Sequence, residues 1–369
     1  MSLRQELHDH PGISGEESYA HDRIVEQLRL LQPAALHTHV GGYGVVAYFG
    51  DSPSLPAIAL RADTDALPIG HRCGHDGHTA TLLRVAELIK EKQVAGNELK
   101  DRGAVLIFQP EEETGQGAQK IIDSGVLDNY NIQAILAVHN IPGFPLNEVL
   151  LSPATFAAAS AGVVYHLQGR ATHASTPELG VNPGLAVAEI VQQMQQSVVS
   201  GQSSADNSQF STLNSQFKQS TLIAIRLGER AFGTSAGDAD VMFTLRAFTN
   251  VTMQRLLEDA HGLVAGVAQR YGLTETHELV EPFRATENTP GLVAQLESMA
   301  LARHRHVTRL RQPFRWSEDF ANYLVRYPGA LLGIGAGTDH VELHHPDYDF
   351  PDEIIEPTAE LLAEWVCGF

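Results

Sequence analysis

Three short apolar runs in this chain each stop on side chains that can hold a cation. Ala57–Leu60 runs into Arg61, Asp63 and Asp65. Ala104–Phe108 runs through Gln109-Pro110 into Glu111-Glu112-Glu113. Ile135–Val138 stops at His139. Continuous apolar runs of this length, bounded by polar residues, predict buried strands. In open α/β sheets, ligands bind beyond the strand ends. A fold built on these strands therefore gathers several ionisable groups at one end of a sheet. Such a gathering is stable only if cations or paired charges sit within it.

The densest cluster lies just after the first run, at Cys73-Gly74-His75-Asp76-Gly77-His78. Cys73 and His75 sit two apart on glycine-containing backbone, so both can reach one metal centre. Sulfur and nitrogen donors of this kind suit zinc or a neighbouring divalent transition metal. Three adjacent carboxylates at Glu111–Glu113 repel one another unless positive charge lies nearby. One Glu can bind a metal while its neighbour serves as general base toward an activated water. Leu343-His344-His345-Pro346 adds an imidazole pair close to the glycines of Gly333-Ile334-Gly335-Ala336-Gly337. Trp316-Ser317-Glu318-Asp319-Phe320-Ala321 reads as an acidic loop opening a helix, with Ser317 at the N-cap.

A chain of 369 residues exceeds one ordinary core and implies two domains. Its 44 acidic against 25 basic residues give a net charge of -19. That charge argues against nucleic acid and against anionic membranes as partners. The two cysteines, Cys73 and Cys367, build no disulfide framework. A metal-binding Cys73 must remain a thiolate, which favours a reducing, cytoplasmic setting. The N-terminal residues lack the apolar core of a signal peptide. No stretch approaches the ~20 apolar residues of a membrane span.

Along the chain, strands and helices alternate. The pattern predicts a helix over 3–10 and a second one from about Ser14–Glu17, carrying Ile24, Leu28 and Leu31. A turn at 41–44 leads into a strand over 45–49, and a helix spans Thr79–Lys92. The middle of the chain differs. It reads as a strand over 163–168, a helix over 184–198, a polar loop over Ser200–Ser215, strands over 221–227 and 240–246, a helix over 251–271 and a strand over 275–281. This βαββαβ order predicts an inserted ferredoxin-like domain. Alternation resumes with a helix from Asn288-Thr289-Pro290 to Leu301 and a strand over 329–334. The fold class is α/β: a mixed-sheet domain flanked by helices, formed by 1–160 and 286–369, with an insertion over 161–285.

Together these motifs resemble the metal-dependent amidohydrolases that include aminoacylase-like enzymes, hippurate hydrolase, indole-acetyl-amino-acid hydrolases and related carboxypeptidases. The resemblance rests on Leu7-His8 to Glu17, Arg61 to Pro68, Cys73 to His78, Gln109 to Gly117, His139, Thr172-His173-Ala174, Ala231-Phe232-Gly233 to Arg246, Ser317 to Phe320, and Leu343 to Glu353. It implies a catalytic domain with two divalent metal ions (zinc or manganese, with cobalt or nickel also suitable) and an inserted lid that dimerises. The implied metal ligands are Cys73, His75, Glu113, His139 and His344. Glu112 falls at the general base, Asp65 at the carboxylate that orients a ligand, and His173 at a lid imidazole that reaches a substrate oxygen. Arg246, Asn182 and Phe232-Gly233-Thr234 are weaker lid candidates for a substrate carboxylate.

The implied substrate is an N-acyl or N-aroyl amino acid. A dipeptidase or carboxypeptidase activity is the alternative, and an inactive small-molecule-binding relative is the reading of another class. Three departures stand out. The loop between Ile69 and His71 is shorter than in relatives. Glu111 replaces a small residue and would raise the pKa of Glu112 if the two are close. His345 can compete with His344.

Overall fold

The computed structural model describes residues 2–95, 99, 101–199 and 217–368. Contacts divide the chain into two compact units: Met1–Phe156 with Thr286–Gln312 and Glu318–Phe369, and Ala157–Ala285 with Pro313–Ser317.

The first unit opens with helices α1 (Leu3–Asp9) and α2 (Ser18–Leu31), then strands β1 (Ala35–Val40), β2 (Gly44–Phe49) and β3 (Pro56–Asp63). Helix α3 (His75–Val94), strand β4 (Gly103–Gln109), helix α4 (Gly117–Asp123) and strands β5 (Asn131–Ile141) and β6 (Val149–Leu151) follow. In the second unit come β7 (Ala159–Gln168), α5 (Gly184–Val199), β8 (Lys218–Leu227), β9 (Asp238–Ala247), α6 (Asn250–Arg270) and β10 (Thr274–Phe283). The chain then returns to the first unit with α7 (Pro290–Ala302), β11 (Val307–Arg309), a 3-10 turn over Asp319–Val325, β12 (Gly329–Gly335) and α8 (Ile355–Gly368).

The first unit's sheet has eight strands in the order β1-β2-β4-β3-β5-β12-β6-β11. Its centre, β4-β3-β5-β12, is parallel; β1-β2, β2-β4 and β12-β6 are antiparallel, and the outer pair β6-β11 is parallel again. Central strands covered on both faces have no polar side to show, which is why β3, β4 and β12 read as unbroken apolar runs. Ile24 and Leu28 of α2, Leu82 and Ile89 of α3, and Leu362 and Trp365 of α8 pack with Ile58, Leu60, Leu106, Leu136 and Leu332 of the sheet.

The second unit holds a four-stranded antiparallel sheet in the order β8-β9-β7-β10. Its strands alternate between buried and half-buried positions, most clearly in β9. Val163, Tyr165, Leu167, Val241, Phe243 and Leu245 form one core with Ile190, Met194, Leu256 and Val264 of the two helices. The polar stretch predicted as a loop over Ser200–Ser215 lies outside the described residues.

Three sequence readings change. Helix α3 begins at His75, not Thr79, so the metal-ligand-type cluster forms its first turn. Strand β5 continues two residues past His139. The Asp319–Val325 turn is capped by Glu318, whose carboxylate accepts the Phe320 N–H, and not by Ser317, which pairs with Ser160.

Candidate metal centre

The parallel pairing brings the three apolar runs to a common edge. Asp63 lies opposite Gln109, Arg61 opposite Ala137, and His139 opposite Gly333. Cys73 and His75 reach the same edge because α3 starts there. Gly74, at φ +96°, is left-handed, and a Cβ on it would lie 2.8 Å from Asn140 Oδ1. A glycine is therefore required between the two donors. A left-handed turn at His344 (φ 66°), with its N–H on the Arg72 carbonyl, brings that imidazole to Glu113.

The donors form a connected set. Cys73, His75 and His139 have donor atoms within 4.8 Å of one another; so do Cys73, Glu113 and His344, and so do His75, Glu112 and Glu113. Cys73 Sγ lies 3.8 Å from His139 Nε2. His75 Nε2 lies 3.9 Å from both Glu112 Oε2 and Glu113 Oε1, and His344 Nε2 lies 3.9 Å from Glu113 Oε1. Asp65 stands behind them. Its main-chain carbonyl lies 2.9 Å from His75 Nδ1, and its carboxylate accepts from Ser14 Oγ and the Glu113 N–H.

Two buried atoms at the middle of this set, His75 Nε2 and Glu113 Oε1, have no hydrogen-bond partner. Buried polar atoms are seldom left so, and both face donor groups of metal-ligand type. Electrostatics agree. Burial, then Glu318, Glu113 and Asp319, raise the Glu112 carboxyl well above its ordinary range. Burial raises Glu113 to about 7 and the Cys73 thiol to about 12. Burial and His78 hold His139 well below its ordinary value, and burial lowers His344, so both imidazoles are neutral and able to ligate. Against the cost of burial, Asp63, Cys73 and Asp65 raise His75 well above its ordinary value, so in the metal-free pocket a proton on His75 supplies positive charge that a cation would replace. The residues present fit divalent cations.

A profile of peptidase family M20/M25/M40 matches residues 59–367. The chain belongs to this family. It is a metal-dependent amidohydrolase. It is 28% identical over 386 residues to the N-acetylcysteine deacetylase of Bacillus subtilis (strain 168), spanning 99% of this chain and 95% of that protein. It is 28% identical to IAA-amino acid hydrolase ILR1-like 5 of Arabidopsis thaliana, over 98% of this chain and 85% of the relative. Its fold matches the crystal structure of the Bacillus subtilis YXEP protein, described as a dinuclear metal binding peptidase of family M20. The TM-score is 0.81 at 22% identity, over 99% and 96% of the two chains.

Within this M20 chain, the other sequence candidates divide. His345 turns to Asp347, whose N–H reaches its Nδ1, whereas His344 faces Glu113. Glu111, in left-handed backbone (φ 55°), pairs with Lys120, and after burial the groups that raise Glu112 most are Glu318, Glu113 and Asp319. In the second unit, His173 is exposed, with Nδ1 2.7 Å from Ser175 Oγ. Asn182 Oδ1 accepts the Gly184 N–H, and Arg246 donates to the Arg315 carbonyl and to Ser317 Oγ. Those two partners give Arg246 a structural task.

Sequence reasoning passed over a buried network behind the donors. Asp63 Oδ1 lies 2.6 Å from His78 Nδ1, and His78 Nε2 lies 2.5 Å from Asn140 Oδ1. Arg61, only 3% exposed, donates to Asp63, Glu318 and Asp319. One signal was available: an Arg inside an apolar strand is almost never buried without acidic partners.

Proposed function

We propose that this amidohydrolase cleaves N-acyl or N-aroyl amino acids at the amide bond. Cys73, His75, Glu113, His139 and His344 would hold two divalent cations, zinc or manganese, with cobalt and nickel also compatible. Such cations acidify water and polarise a carbonyl. Glu112 is the general base. Its Oε1 is anchored by the Asp319 N–H, while Oε2 faces His75. It takes one proton as the water oxygen bonds to the amide carbon. It returns that proton to nitrogen as the C–N bond breaks, releasing a carboxylic acid and an amino acid. Asp65 orients His75 through the contact at Nδ1. His173 is the imidazole assigned to the substrate oxygen that gathers charge.

The observation that carries this reading is the pair of partnerless buried atoms, His75 Nε2 and Glu113 Oε1, beside a carboxylate with one fixed oxygen. The names of the deacetylase and the indole-acetic-acid conjugate hydrolase support the substrate class. The second unit is proposed as lid and dimer-forming domain. Its edge strand β8 leaves Ile223, Ile225 and Leu227 exposed. Among the described residues, no helix is long and apolar enough to cross a membrane. A buried thiol ligand suits the reducing cytoplasm.

The test is one preparation assayed for metal content, solution mass and hydrolysis of N-acetyl, N-benzoyl and dipeptide substrates. The reading expects about two metals per chain and the mass of a dimer, with N-acyl substrates preferred. Glu112→Gln should keep its metal and lose ~10²–10⁴-fold in turnover. His139→Ala should lose metal as well. Unchanged turnover in Glu112→Gln removes the base assignment, and faster dipeptide cleavage moves the substrate class to peptides.

A further inference from the structure

We propose that Asp319 is a positioning residue for Glu112, acting through its own backbone N–H. The inference rests on the reading of Glu112 as general base. Asp319 is 1% exposed, and both its carboxylate oxygens are held. Oδ1 accepts from Arg61 Nη2 at 2.9 Å and Gln109 Nε2 at 2.8 Å. Oδ2 accepts from Gln109 Nε2 and from the Ala118 N–H, each at 2.9 Å. These donors belong to β3, to β4 and to α4. Residue 319 is thus fixed to three elements of the first unit, and its N–H reaches Glu112 Oε1 at 3.4 Å.

The charge balance argues for a role beyond holding Arg61. That guanidinium already has Asp63 at 2.7 Å and Glu318 at 2.9 Å. A third buried carboxylate on one cation is costly, and burial with Glu318 nearby pushes Asp319 up to about 7. Glu318 also caps the turn, through the Phe320 N–H, so the turn start does not need Asp319 for that purpose. What Asp319 adds is a fixed direction for one N–H. With Oε1 of Glu112 anchored there, Oε2 is left facing His75 Nε2. A base held in one rotamer is ready for proton transfer, whereas a free Glu side chain divides itself among several.

The experiment compares Asp319→Asn, Glu112→Gln and the double variant in metal-loaded protein with an N-acyl amino acid. It reads kcat, KM, metal content and thermal melting. In Asp319→Asn an amide donor would face the Ala118 and Gln109 donors, so the clamp opens. A misplaced base should lose part of its factor, so kcat should fall ~10- to 100-fold. KM and metal content should hold within about twofold. In the Glu112→Gln background, adding Asp319→Asn should change the residual rate by less than about twofold, because the two act as one unit. Gln109→Leu removes one clamp without removing a charge. It should show the same pattern more weakly, and it carries the test if Asp319→Asn does not fold. Additive losses in the double variant, or metal lost from Asp319→Asn, overturn the proposal. Full turnover in Asp319→Asn with an inactive Glu112→Gln also overturns it while leaving the base standing. Full turnover in Glu112→Gln removes the base reading itself.

Discussion

Glu17 illustrates how one buried acid ties the chemistry to the fold. Its Oε1 accepts the N–H groups of Gly15 and Glu111. It thereby fixes the left-handed residue just before Glu112 and Glu113. Burial raises Glu17 from an ordinary 4.5 to about 7. The unfolded chain therefore gives up this proton first. The contribution to stability is full below about 4.5 and is lost as pH rises through about 7. Glu17→Gln does not titrate. In urea unfolding, the stability of the variant relative to the parent should rise between pH 4.5 and pH 8. A gap that stays constant across that range would mean Glu17 is not held protonated by burial.

At the scale of elements, the first turn of α3 meets a ring. A Cβ on Gly77 would lie 2.3 Å from Phe350 carbons. Gly77→Ala gains up to about 1 kcal/mol of helix propensity, but overpacking a core costs about 1–3 kcal/mol. The variant should melt lower than the parent. Gly262→Ala, in α6, meets nothing within 4 Å and should melt higher, by the equivalent of about 0.4–1 kcal/mol. The same two helices show what the sequence could tell. The periodicity of α6 predicted its extent almost to the residue, because its own apolar face and its local cap, Thr249 accepting the Thr252 N–H, decide it. The start of α3 was misplaced because Gly74 and Gly77 read as loop residues. Gly77 is glycine on account of a ring 273 residues further along the chain, and no local pattern carries that. The strand ends at Asp63 and Gln109 were legible, since buried parallel strands must be apolar throughout; the strand expected to stop at His139 runs on to Ile141. The Arg61–Glu318–Asp319 contacts were not, because they join residues 257 and 258 apart. Their only local trace is an Arg inside an apolar run.

For the whole molecule, the metal centre couples stability to pH. Without cations, Glu113 and Asp319 hold protons up to about pH 7. Burial is the chief cause in both. For these two acids the folded protein keeps protons that the unfolded chain has already lost, so their contribution to the stability of the metal-free form falls as pH rises from about 4 to about 7, while the depressed His71 and His139 contribute with the opposite sign. Cations that bind only the folded chain add RT ln(1 + [L]/Kd), about 2.7 kcal/mol at a hundredfold excess over Kd. They also displace protons from their ligands, so their affinity climbs with pH. Both effects have one direction. After treatment with a chelator, the rise in melting temperature on adding manganese or zinc should be larger at pH 8 than at pH 5.5. In His139→Ala it should largely vanish. A rise of the same size at both pH values would place the bound ions on the acidic surface, where no buried proton has to leave.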